Sequence, residues 1–129
     1  MVRPTYKPTW EIPGGAVEAD ESPAAAAGRE TREELGIPLH VGRLLVVDWL
    51  PARPPKTEGL MFLFDGGILD GELQARFSLA AHELHEWAFV EPERIHRYVS
   101  ETMARRLLTA VEVQDGGGTS YLEAGGSPA

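Results

Sequence analysis

The stretch from Ser22 to Gly36 carries the start, interior and stop of one helix, and what lies on that helix limits what the rest of the chain can be. Ser22 is a good N-cap, Pro23 suits the first helical position, and Ala24 to Ala27 are strong helix formers. Gly36 ends the run. Ala24, Ala27, Thr31 and Leu35 recur at three- and four-residue spacing and predict the buried stripe. Glu30, Glu33 and Glu34 stand at i, i+3 and i+4, so one helical face carries three carboxylates. Like charges at that spacing cost an isolated helix about 0.2–0.5 kcal/mol per pair, so a fold that keeps all three needs a compensating cation. Hard oxygen ligands favour Mg²⁺ or Mn²⁺. Arg29 lies four residues before Glu33 and can also reach back toward Glu21, orienting carboxylates while offsetting their charge. Gly14 and Gly15 allow a sharp turn that offers a carbonyl to the same place, which makes Gly14 a candidate ligand. On this spacing alone, a solvated acidic helix face is an equal alternative.

Bulk properties narrow the class. With 129 residues, 43% hydrophobic and 25% charged, the chain fits one ordinary globular domain. Twenty acidic against twelve basic residues give a formal charge of −8, the opposite of what a nucleic-acid surface requires. No apolar run approaches the roughly 20 residues that span a bilayer, and Met1 to Thr5 lack the apolar stretch of a secretory signal. Without cysteine there is neither a disulfide nor a thiolate metal site, which suits the cytoplasm.

Along the chain, Trp10-Glu11-Ile12 is a short extended stretch running into the Pro13-Gly14-Gly15 turn. The pattern from Leu39 to Leu50 is β-like, with Leu44 to Val47 as a buried run. Pro51 to Lys56 is a proline-rich loop, and Gly59 to Phe64 reads as the partner strand, closed by Asp65-Gly66-Gly67. A weaker strand is expected around Leu73 to Phe77 and another from Trp87 to Val90. Pro92 opens a helical turn, and Ser100 to Val113 is a second helix with Met103, Leu107, Ala110 and Val111 on one face. Residues 115–129 are Gly/Ser-rich and predict a disordered tail after a domain spanning 1–114. Trp49, Trp87, Phe62 and Phe64 are expected in the core, and the four histidines on the surface.

From Gly15 the spacing to Glu21, then to Arg29-Glu30 and on through Glu33-Glu34, Leu35, Gly36 and Ile37 resembles the box that defines the Nudix hydrolases. All its fixed positions match; Thr31 stands where a bulky apolar residue is usual, which touches helix packing rather than chemistry. The resemblance covers roughly Arg3 to Gln114. It implies an α/β/α sandwich with a mixed sheet. It also implies a metal-dependent hydrolase acting on the diphosphate linkage of a small nucleotide-like substrate, with no membrane or nucleic-acid surface. By position in the box, Glu33 and Glu34 resemble the principal ligands of Mg²⁺ or Mn²⁺, Glu30 a further ligand or the general base, and Glu21 and Arg29 the supporting pair. Many members add an acidic residue from a later loop. Glu83 and Glu86 are candidates, with Glu86 preferred because it directly precedes Trp87.

Two further readings are open at this stage. A proline about fifteen residues past the box is common in members acting on ADP-ribose, and Pro51 lies close to that position. A Nudix-like module that senses a nucleotide without cleaving it is the non-enzymatic alternative, and the intact Glu30, Glu33 and Glu34 favour the enzyme. His82-Glu83-Leu84-His85-Glu86 has its histidines three apart rather than four, which does not fit a zinc-protease helix. Finally, only nine residues precede Trp10, fewer than is usual in the family. The domain is therefore expected to be short at its N-terminus, with an exposed sheet edge that could pair in a homodimer.

Overall fold

The computed structural model describes residues 1–128. In chain order the elements are β1 (Val2–Pro4), α1 (Pro23–Leu35), β2 (Leu44–Leu50), β3 (Gly59–Phe64), α2 (Gly71–Ala75) and β4 (Leu84–Trp87). A 3-10 turn (Pro92–Arg97), α3 (Glu101–Gly116) and β5 (Ser120–Glu123) follow. They fall into two compact units. Met1–Gly42 and Gly66–Val90 form one, and Arg43–Asp65 with the chain from Glu91 onward forms the other.

In the first unit β1 and β4 pair antiparallel, with Val2 opposite Trp87 and Arg3 opposite Glu86. Val2 also exchanges backbone hydrogen bonds with Glu11, at 2.8 and 2.9 Å, which ties the segment before the Gly14-Gly15 turn to the same ladder. Helix α1 begins and ends as its sequence dictates. Ser22 Oγ accepts from the Ala25 N–H at 3.1 Å, Pro23 follows, and Gly36 closes the helix at φ 72° with its N–H on the Arg32 carbonyl. A side chain at Gly36 would be strained by that φ and would press on Ser78 at 3.1 Å. Val2, Leu35, Ile37 and Leu84 make the core of this unit, with Phe77 and Trp87 edge to face against it at 4.7 Å.

Two expectations shift here. The segment expected as a strand at Leu73 to Phe77 is instead the short helix α2, because the Asp70 carboxylate caps the Leu73 N–H at 2.9 Å. Glu72, Leu73, Gln74 and Ala75 then favour a helical turn. The strand expected from Trp87 lies earlier, at Leu84–Trp87, because β1 pairs with it there.

In the second unit β2 is central. It pairs antiparallel with β3 and parallel with β5, giving a mixed sheet of the expected α/β class. Helix α3, capped by Ser100 Oγ on the Met103 N–H at 3.2 Å, packs on β2 and β5. Val46, Leu122, Ala104, Leu107 and Ala110 are buried.

The C-terminal segment is not a disordered tail. Helix α3 runs on to Gly116, a glycine turn reverses the chain, and Ser120–Glu123 adds a strand whose Leu122 is buried. Thr119 Oγ1 bonds the Leu44 carbonyl at 2.8 Å at the head of that strand. The glycines make a turn, and the partner of the strand lies some seventy residues upstream (Val46 opposite Ser120). Local composition cannot reveal such a partner. Ala129 lies outside the described residues. Trp49, expected in the core, is 38% exposed. Strand residues alternate faces, and on β2 the face of Val46 and Asp48, both fully buried, is the one opposite Trp49. Phe62 and Phe64 are half-buried and stacked at 6.5 Å, and Trp87 is also half-buried.

Candidate functional site

The first unit gathers most of the sequence-predicted site residues around one guanidinium. Arg29 Nε donates to Glu21 Oε2 at 2.7 Å and Nη2 to Glu21 Oε1 at 3.0 Å, a two-pronged grip. Its Nη1 reaches Glu30 at 3.0 Å and Glu33 at 3.2 Å, and Nη2 also bonds the Ala16 carbonyl at 3.1 Å. One cation thereby orders three of the predicted carboxylates and the loop before the helix. The hydrogen bond from Arg29, aided by the Glu18 backbone contact, pulls the Glu21 carboxyl below its ordinary pKa. Of these carboxylates Glu33 is the open one, its side chain 59% exposed.

Helical spacing puts Glu34 on the inner side of the acidic face, and there it is buried. Its Oε2 accepts from the Gly14 N–H at 3.2 Å. Burial pushes its pKa up to about 7, and the negative charges of Glu30, Glu11 and Glu83 add to the rise against the opposing Gly14 hydrogen bond. Gly15 lies so close to Glu30 that a Cβ there would fall 2.4 Å from the carboxyl carbon. The absence of a side chain at Gly15 leaves the Glu30 carboxyl room to lie against the turn. Gly14 meets Glu34 through its N–H, not its carbonyl. Thr31, the departure from the box, is buried without penalty because its hydroxyl donates to the Ala27 carbonyl at 2.8 Å.

Glu86, the preferred later-loop candidate, is not brought to this cluster. It sits on β4, half-exposed, in an ion pair with Arg3 at 3.0 Å. Its neighbour Glu83 is among the charges acting on Glu34. The reason is local. The carbonyls ending α1 are capped by the turn before β4, Ser78 N–H on Leu35 at 2.8 Å and Ala80 N–H on Glu34 at 3.2 Å. Glu83 closes that turn, its N–H on the Ala80 carbonyl at 2.9 Å. Sequence reasoning missed Glu11, whose carboxyl is held by Lys7 at 2.8 Å and Tyr6 at 3.2 Å. The available signal was its place in the Trp10-Glu11-Ile12 run.

Among the described residues no three carboxylate or imidazole groups converge on one point as they stand, because Glu30 and Glu33 are turned to Arg29 and Glu34 to Gly14. The donor chemistry nevertheless fits a hard divalent cation. The set is all oxygen, and Glu34 is a buried carboxyl inside an acidic field that a bound cation would relieve when the group is ionised.

The pattern of the NUDIX domain family matches residues 1–110. A MutT-like protein of Streptomyces ambofaciens is 31% identical over 104 residues, spanning 81% of this chain and 62% of that protein. An RNA pyrophosphohydrolase of Erythrobacter litoralis is likewise 31% identical over 104 residues, spanning 70% of this chain and 63% of that one. The chain thus spans less than two thirds of the length of these relatives. Among solved structures, a UDP-X diphosphatase shares the fold with a TM-score of 0.69 at 23% identity, covering 94% of this chain and 58% of its own.

Proposed function

We propose that this chain, which belongs to the Nudix family, is a divalent-metal-dependent hydrolase that cleaves the diphosphate linkage of a nucleoside diphosphate joined to another moiety. The observation that carries this reading is the pairing of a buried Glu34, its pKa raised to about 7, with an Arg29 that holds Glu21, Glu30 and Glu33 in place. A purely solvated acidic face would leave none of its carboxylates buried. The relatives' names support the substrate class, since a pyrophosphohydrolase and a diphosphatase both act at diphosphates.

In this reading Glu33 and Glu34 would hold Mg²⁺ or Mn²⁺, with Glu83 rather than Glu86 as the further acidic contributor, and Glu30 is left to act as the base. A divalent ion held there supplies positive charge against the diphosphate oxygens and makes water easier to deprotonate. Glu30 accepts the proton of the attacking water, which enters in line with the departing phosphate. Arg29 and Glu21 fix the carboxylates, and Gly14 anchors Glu34. The test is phosphate release from a panel of nucleoside diphosphate conjugates with Mg²⁺ and with chelator. Metal-dependent turnover of at least one conjugate is expected. Saturable nucleotide binding without turnover would favour a sensing module instead.

A further inference from the structure

A cavity of about 340 Å³ lies wholly within the second unit, and its lining inverts the charge of the chain. Three cationic side chains, Arg53, Lys56 and Arg106, reach it and no carboxylate does, in a protein whose formal charge is −8. Arg53 and Lys56 face each other across the neck of the β2–β3 connection. The Arg53 N–H donates to the Lys56 carbonyl at 3.0 Å, and the Lys56 N–H returns the bond at 2.8 Å. Residues opposed in this way carry their side chains to the same side of the ribbon, where like charges repel. Neither has an ion-pair partner among the described residues.

Arg106 adds a built element. Its side chain is only 5% exposed, and its charge is set against Asp48, which is fully buried. Nε bonds the Asp48 carboxylate and Nη1 contacts Met103 Sδ at 3.5 Å, which leaves Nη2 with no protein acceptor among the described residues. No fully buried side-chain nitrogen or oxygen among the described residues lacks a partner, so Nη2 is not fully enclosed, and Arg106 is one of the residues that line the cavity. Asp48 offsets Arg106, so Arg53 and Lys56 leave about two positive charges uncompensated in the lining. Leu50 and Met103 supply an apolar wall. The volume exceeds what a bare inorganic anion fills and lies at the lower end of the range for small-ligand pockets, about 300–1,000 Å³.

We propose that this cavity binds a small organic phosphate, its phosphoryl group between Arg53, Lys56 and the free edge of Arg106 and its carbon body against Leu50 and Met103. The assignment does not rest on the hydrolase reading, because none of these residues belongs to the carboxylate cluster.

The test titrates the full chain with phenyl phosphate, inorganic phosphate and phenol by calorimetry, with a chelator present so that the carboxylate cluster carries no metal. Saturable phenyl phosphate binding is expected, tighter than inorganic phosphate, with none for phenol, and weakening as salt rises. The R53Q/K56Q variant, whose changes lie on an exposed turn, should melt like the parent and lose about tenfold or more in affinity. R53K/K56R should retain most of it. Unchanged affinity in R53Q/K56Q, no saturable phenyl phosphate binding at millimolar concentration, or inorganic phosphate binding as tightly as phenyl phosphate would each overturn the proposal.

Discussion

Arg29 grips Glu21 through two parallel hydrogen bonds, at 2.7 and 3.0 Å, while its remaining donors reach Glu30, Glu33 and the Ala16 carbonyl. No lysine can reproduce that fork, because an ammonium is a point charge on a flexible stem. Arg29→Lys should therefore behave almost as badly as Arg29→Ala. Both should lose roughly 10–100-fold in turnover, the usual cost of removing a group that orients metal ligands. Turnover of the lysine variant within twofold of the parent would show that charge alone suffices.

Glu34 sets a pH dependence of stability. Its folded-state pKa is about 7 against an ordinary carboxylate value of 4.5, so the folded state holds the proton more tightly than the unfolded one. The stability this contributes is full below the unfolded value and is lost as pH rises through about 7. The loss is on the order of 3 kcal/mol between pH 4 and pH 8, at about 1.4 kcal/mol per pH unit. Urea unfolding in chelator should show that decline for the parent and a flatter profile for Glu34→Gln. An equally steep decline in the variant would place its source elsewhere.

Divalent metal should act in the opposite direction, since it favours the ionised carboxylate. At pH 8, Mg²⁺ or Mn²⁺ at a hundredfold excess over Kd should stabilise the fold by about 2.7 kcal/mol. The Glu33→Gln/Glu34→Gln double variant should lose that gain. A melting shift that survives in the double variant would move the ion away from α1.

The helix bearing the cluster was legible in the sequence because every signal for it is local. Ser22, Pro23 and Gly36 act within one turn of themselves, and helical spacing then dictates which glutamates share a face. What escaped depends on chain brought from afar. Glu83 joins the acidic field through the turn before β4 that caps the end of α1, a relationship that adjacency to Trp87 does not reveal, while Glu86 pairs with Arg3. Asp48 interrupts an otherwise apolar strand, and Arg106 interrupts the apolar face of α3. Each anomaly explains the other once they are seen to pair, yet nothing in either segment names its partner. The strand Ser120–Glu123 was hidden in the same way behind its glycines.

That strand leads into a turn whose fit can be tested at one atom. The Gly125 N–H donates to both oxygens of the buried Asp48, at 3.1 Å each, and so completes the Asp48–Arg106 pair. Gly125 has φ 78°, and a Cβ there would fall 2.8 Å from the Thr102 backbone oxygen. Gly125→Ala must therefore lift the turn off Asp48, leaving a buried carboxylate short of a donor in addition to the backbone strain. The expected cost is about 2.5–6 kcal/mol, combining strain of about 1–3 kcal/mol with about 1.5–3 kcal/mol for a lost hydrogen bond to a charged group. Asp48→Asn in the same background should cost less than it does in the parent, because the charge that needed the donor is gone. Denaturant unfolding of the four proteins checks this. Additive losses from the two changes would mean that Gly125 and Asp48 do not act as one unit.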